Sequence, residues 1–287
     1  MTTPGSSLGG PSGSSGAASS LQEHFARLDG HGIHYQSVGA GNRAIVFLSG
    51  WGCGTSLWRR QVPALAPQAR LLLLDLPGHG RSDKPDIPYT IAFFARAVDA
   101  VLEDARVERA AIAGHSMGAM VAYRFAREHP EKTVAMIWVD GAFGIPVDVE
   151  QQIAGFRTRA QDLRSPNYRE KLMPFVDELF IPETPDAVRA EVREAILATP
   201  QHVLASCIAN FAEDPSMFTP EVLDIPAFAV FCAFWHPERF VDIFKKYLPR
   251  LEYEEMQGSG HYPMLEKPEE TNAALLRIIG KIRHELR

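Results

Sequence analysis

The sequence predicts an α/β protein built on a central, mostly parallel sheet flanked by helices, with an all-helical piece inserted late in the chain. Three observations carry this. Short apolar runs of strand length alternate with segments whose apolar residues recur at helical spacing. One such run, Ala111-Ile112-Ala113, ends in Gly114-His115-Ser116-Met117-Gly118 and passes at once into an amphipathic stretch, the pattern of strand, sharp turn and helix. From Gly144 to about Asp224 the strand-like runs cease and proline-broken helical patterns take over.

The elements follow in order. Gly32 to Gly39 alternates weakly and reads as an edge strand closed by the turn Gly39-Ala40-Gly41-Asn42. Ala44 to Leu48 is apolar on both faces, as a buried central strand must be. The glycine-dense Ser49-Gly50-Trp51-Gly52-Cys53-Gly54 follows, then a helical stretch from Leu57 to about Leu65. Arg70 to Asp75 is a second buried strand, and Leu76 to Pro85, rich in Gly and Pro, is a long ordered loop. Thr90 caps a helix running to Ala105, with Ile91, Phe94, Ala95, Val98, Val101 and Leu102 on its apolar face. The strand from Arg109 to Ala113 leads into a helix from Gly118 to Glu128, and Thr133 to Val139 is the next buried strand. Helices are expected at 149–165, 168–179, 185–198 and 201–212, then strands at 226–232 and 251–256, a helix at 237–246 and a terminal helix at 267–286.

The 287 residues, 46% hydrophobic and 22% charged, suit one large α/β domain with an inserted subdomain. A formal net charge of -6 with scattered Lys and Arg offers no basic surface, so neither a nucleic-acid nor a membrane partner is expected. Cys53, Cys207 and Cys232 show no metal-ligand spacing, and their odd number suits a reducing compartment. Residues 1–20 are almost entirely Gly, Ser, Thr, Ala and Pro and read as a flexible tail rather than a signal peptide. No apolar run reaches bilayer length, and a soluble cytoplasmic protein is the expectation.

The chemistry centres on Ser116. A serine hydroxyl is a weak nucleophile and must stand clear of its neighbours, within reach of a base and beside N–H donors that hold an oxyanion. A tight strand-to-helix turn meets these needs, with Gly114 and Gly118 admitting close backbone approach and the Met117 N–H opening the helix. The alternative is an ordinary Gly-rich turn. His261, on Gly258-Ser259-Gly260-His261 after the last strand, is the candidate base, placed better than His79, which is expected to order its own loop.

With Ser116 in this setting, Gly260-His261 after a late strand, and Pro77-Gly78-His79-Gly80-Arg81-Ser82 earlier, the chain resembles the α/β-hydrolase superfamily across about residues 30–142 and 222–285. The resemblance implies a core at 21–143 and 222–287 beneath a helical cap at 144–221, and a second oxyanion donor in the loop after the first central strand, where Trp51 fits best. It also exposes a departure. The usual triad acid follows the strand before the last, where this chain reads Cys232-Ala233-Phe234-Trp235-His236 without a carboxylate. Some relatives place the acid at the end of the strand after the nucleophile helix, and Asp140 stands there, with Asp242 and Glu238 as competitors.

Gly50, His115, Phe143, Phe234, Trp235 and Tyr262 are the expected substrate contacts, with Phe231 contributing to an aromatic wall and several cap aromatics lining the pocket. The resemblance implies hydrolysis of an ester or lactone through an acyl-enzyme, with a small-molecule substrate and no metal or organic cofactor. A serine nucleophile argues against dehalogenase and epoxide hydrolase chemistry. Carbon–carbon bond hydrolysis, a cofactor-free lyase or perhydrolase, and a non-catalytic ligand sensor are the alternatives.

Overall fold

The computed structural model describes residues 20–144, 146–232 and 237–286, with backbone alone for Pro215 and residues 237–239. The expected tail thus lies outside the described residues except for Ser20. Eight strands form one sheet: β1 Gln22–Leu28, β2 His31–Val38, β3 Arg43–Leu48, β4 Leu71–Leu74, β5 Arg109–His115, β6 Thr133–Val139, β7 Ala227–Phe231 and β8 Leu251–Glu255. Their spatial order is β1-β2-β4-β3-β5-β6-β7-β8. β1, β2 and β4 pair antiparallel and every other pair is parallel.

The helices are α1 Val62–Leu65, α2 Ile91–Asp104, α3 Met117–Glu128, α4 Val149–Arg164, α5 Tyr168–Asp177, α6 Asp186–Ala198, α7 Gln201–Glu213, α8 Pro237–Tyr247, α9 Pro263–Glu266 and α10 Pro268–Ile282. Every residue of β4 and β6 is buried, and β3 is buried beyond Arg43, because helices cover both faces of the sheet. β8, at the edge, buries Leu251 and carries three glutamates along Leu251-Glu252-Tyr253-Glu254-Glu255, a charge pattern that discourages further strand pairing. Thr90 caps α2 by accepting a hydrogen bond from Phe93 N at 3.0 Å. Among the described residues, no single helix is long and apolar enough to cross a membrane.

Two expectations need correction. The strand at 32–39 is not the sheet edge, because β1 pairs along all of it, from Gln22 opposite Ser37 to Leu28 opposite His31. β1 has no readable apolar alternation, since Ala26 is its one fully buried residue. The single helix expected at 57–65 is a 3₁₀ turn, Thr55–Trp58, followed by the one-turn α1. Pro63 lacks the N–H that a continuous helix needs there, and its ring excludes the carbonyl one turn earlier.

The topology decides where a site can form. The chain runs from β3 to β4 on one side, then crosses back to place β5 on the other side of β3. The loops leaving the carboxyl ends of β3 and β5 therefore diverge around a crevice, the usual ligand position in an open parallel sheet. The helices α4 to α7, between β6 and β7, pack on one another, with Phe156 5.5 Å from Phe211 between ring centroids. They also rest on the loop after β3, where Trp51 Nε1 donates to Leu204 O at 3.2 Å and Thr199 Oγ1 donates to Gly52 O at 3.2 Å.

Candidate active site

Ser116 sits between β5 and α3 with φ 51° and ψ -118°, a backbone conformation that costs an L-residue about 1–3 kcal/mol. Close packing holds it there. A Cβ on Gly114 would lie 2.2 Å from Gly118 O, and one on Gly118 would lie 2.5 Å from Leu48 O, so α3 approaches both β5 and β3 nearer than a side chain allows. Two further glycines crowd the same residue. A Cβ on Gly50 would meet Ser116 Cβ at 3.0 Å, and one on Gly141 would meet Ser116 N at 2.7 Å. Gly141 went unnoticed in the sequence, where its signal is a glycine directly after the strand-end Asp140.

Asp140 directly follows β6, with φ 46°, and is fully buried. Its Oδ1 accepts the Cys232 N–H at 2.8 Å, and its Oδ2 lies 2.6 Å from His261 Nδ1. β6 lies between β5 and β7, so the residue after it stands beside the Ser116 turn and faces the start of the loop after β7. Burial raises the Asp140 carboxyl well above its ordinary value, against the pull of the Cys232 N–H. Burial likewise pushes the His261 imidazole down to about 3, against the field of Glu266. A neutral imidazole at working pH can accept a proton.

His115, beside the serine, is 1% exposed. Its Nε2–H donates to the His261 carbonyl at 2.7 Å, and its ring centroid lies 4.6 Å from that of His261. Burial first, and then the neighbouring His261, hold its pKa well below 6.5, so it remains neutral. Its bond to the His261 carbonyl holds the His261 loop against the serine turn.

The other expected contacts divide. Gly50 and Trp51 lie on the loop after β3, with Gly50 O accepting the Cys53 N–H at 3.1 Å, and Met117 opens α3. The Trp51 ring meets Phe175 of α5 edge-on at 6.1 Å. Phe143 packs in a second core with Tyr123, Trp138, Phe244 and Tyr247. Phe231 is likewise in that core, stacked on Phe244. Tyr262 is 2% exposed, between His115 and Phe180 at 5.2 and 5.9 Å, directly after His261. Phe234 and Trp235 lie outside the described residues, as does the Glu238 side chain, while Asp242 is exposed on α8. His79 is buried, with Nδ1 2.9 Å from Pro77 O, and burial lowers it to about 4. Among the described residues no group of three or more His, Cys, Asp or Glu is arranged to hold a metal ion.

A buried polar network supports the same loops from below. Asp75 accepts Thr55 N at 2.6 Å and Arg81 N at 3.0 Å, and its Oδ2 lies 2.6 Å from His34 Nδ1. His34 Nε2 reaches Glu23 on β1. Burial pulls the His34 pKa down, but hydrogen bonds to Asp75 and Glu23 outweigh it and leave the value raised. Sequence patterning gives no hint of this network, since its members come from β1, β2 and the loops after β3 and β4.

A strained strand-to-helix serine on a mostly parallel eight-stranded sheet defines a class, and the chain belongs to the alpha/beta hydrolase family, whose model matches residues 45–274. It is 28% identical over 269 residues to a 2-hydroxy-6-oxononadienedioate/2-hydroxy-6-oxononatrienedioate hydrolase of Paraburkholderia phymatum, covering 87% of this chain and 91% of that one. It is 41% identical over 107 residues to a pimeloyl-[acyl-carrier protein] methyl ester esterase of Edwardsiella ictaluri, a match that covers 37% of this chain and only 40% of the esterase. Among solved structures, a thermophilic esterase from Thermogutta terrifontis superposes with a TM-score of 0.81 at 20% identity, covering 91% of this chain and 99% of that one.

Proposed function

We propose that this hydrolase cleaves a carboxylic ester or lactone through an acyl-enzyme on Ser116. The observation that carries the reading is the buried His261–Asp140 pair at 2.6 Å, whose histidine carbonyl is bonded to His115, the residue before the strained serine. In this mechanism His261 takes the Ser116 proton as the hydroxyl attacks the carbonyl. Asp140 holds the imidazole tautomer and stabilises its positive form. The N–H groups of Met117 and Trp51 bind the tetrahedral oxyanion. His261 then gives its proton to the leaving alcohol, and a water activated by the same base releases the acid. Helices α4 to α7 act as the cap, with Phe175 against Trp51.

Carbon–carbon bond hydrolysis is the second reading, favoured by the nearly full-length match to the keto-diacid hydrolase. The deciding experiment treats the protein with a fluorophosphonate probe and assays aliphatic esters, aryl esters, lactones and a 2-hydroxy-6-oxo diacid. Labelling that vanishes in Ser116→Ala, together with proton release from esters or lactones, supports the proposal. No labelling, or unchanged turnover in Ser116→Ala, sinks it, and turnover of the diacid alone moves the assignment to the second reading.

A further inference from the structure

Residues 260–262 carry the candidate base, and each of their amides is engaged. Gly260 N donates to Glu266 Oε2 at 2.8 Å, His261 N donates to Leu179 O at 3.0 Å, and Tyr262 N donates to Glu266 Oε1 at 3.0 Å. One carboxylate at the end of α9 therefore grips the backbone on both sides of His261, while the inserted helical segment holds the residue between. The grip extends further. Thr184, 3% exposed in the loop between α5 and α6, donates its hydroxyl to the same Glu266 Oε2 at 3.0 Å. Thr184 Oγ1 also accepts the Ile181 N–H at 3.1 Å, and Arg189 of α6 donates to the carbonyls of Thr184 and Ile181. Space is tight here as well. A Cβ on Gly260 would meet Glu266 Oε1 at 3.0 Å, Leu179 O at 3.1 Å and Ile181 N at 3.2 Å.

We infer that Glu266 is a positioning residue that ties the His261 loop to the inserted helices, so that the seating of the 179–184 segment sets the orientation of the base. A carboxylate suits this task. It is acceptor-only and serves three donors at once, whereas an amide at the same place must turn an N–H donor toward one of them. Its charge shortens and strengthens hydrogen bonds to backbone N–H groups. Glu266 is partly buried, and its negative charge also favours the protonated form of His261, opposing burial. The inference rests on the reading of His261 as the base.

The test uses Glu266→Gln, Thr184→Val and their combination, assayed with p-nitrophenyl acetate at concentrations fixed by fluorophosphonate active-site titration. A displacement of about 1 Å in a catalytic group costs about 100-fold in rate, so Glu266→Gln is expected to lower kcat by up to that factor with KM within about twofold. Thr184→Val, nearly isosteric and distant from the reacting atoms, is expected to lower kcat about tenfold, again with KM held. Because both act through one carboxylate, the double variant should lose no more than Glu266→Gln alone. Single-variant kcat values within threefold of wild type per titrated site overturn the inference, as do losses that multiply in the double variant. If Glu266→Gln does not fold, Thr184→Val decides by the same kcat criterion. His261→Ala is the control: full activity there defeats the reading of the base, whereas inactive His261→Ala beside wild-type Glu266→Gln and Thr184→Val defeats this inference alone.

Discussion

Replacing Asp140 by Asn tests the displaced acid and separates catalysis from stability. In the folded protein Asp140 accepts one N–H from Cys232 at 2.8 Å and faces His261 Nδ1 at 2.6 Å. Asn keeps the acceptor for Cys232 but turns its NH₂ toward His261. The imidazole then presents its lone pair at Nδ1 and carries the proton at Nε2, the atom that accepts from Ser116 in the proposed mechanism. A wrong tautomer of this kind lowers kcat by about 10⁴, or about 5 kcal/mol of transition-state stabilisation. Both hydrogen bonds survive, so the variant should fold, and its melting temperature should differ from wild type only through the lost carboxyl titration.

The sign of the pH effect follows from burial. The folded carboxyl lies above its ordinary 3.8, so the unfolded chain releases this proton more readily. Above that value the buried carboxyl opposes folding, and Asn is free of the opposition. Relative to wild type, the variant's melting temperature should therefore rise from about pH 4 upward, until the pH passes the folded value. The assay is p-nitrophenyl acetate turnover beside thermal unfolding monitored by circular dichroism, with Asp242→Asn as the comparison because Asp242 is exposed. A kcat within tenfold of wild type in Asp140→Asn, or an equal loss in Asp242→Asn, refutes the assignment.

Ser116→Gly and Ser116→Ala should both abolish turnover, but Gly relieves the φ 51° strain and should be more stable than Ala by about 1 kcal/mol in urea unfolding. Gly118→Ala places a methyl 2.5 Å from Leu48 O and should destabilise the fold by about 3 kcal/mol, read as a lower urea midpoint at unchanged slope. His34 has a raised folded pKa, so its ion-pair contribution is complete below its ordinary value near 6.5 and fades as pH rises through the folded value. The stability gap between wild type and His34→Gln should accordingly narrow with rising pH across that window in urea titrations.

Ser116, its flanking glycines and the central strands were legible in the sequence because local pattern dictates them. A strand buried on both faces must be apolar throughout, as in Leu71-Leu72-Leu73-Leu74, and a turn as tight as the one at Ser116 needs glycines at close-contact positions. The family resemblance directs attention to Asp140 after β6, and its approach to His261 Nδ1 at 2.6 Å is visible only in the structure. What joins distant segments was not legible. β1 is exposed and polar, yet pairing along its full length with β2 makes it the edge. Phe143 and Phe231 read as pocket aromatics, and their shared core with Trp138 and Phe244 is made by contacts between distant segments. Glu266 and Thr184, far apart in sequence, meet over the His261 loop with no periodicity to announce them. The sequence by itself determined the central strands and the serine turn, since these follow from local sterics and burial. Only the tertiary structure decided which carboxylates and carbonyls hold the His261 loop, because hydrogen-bond partners in three dimensions leave no trace in local composition.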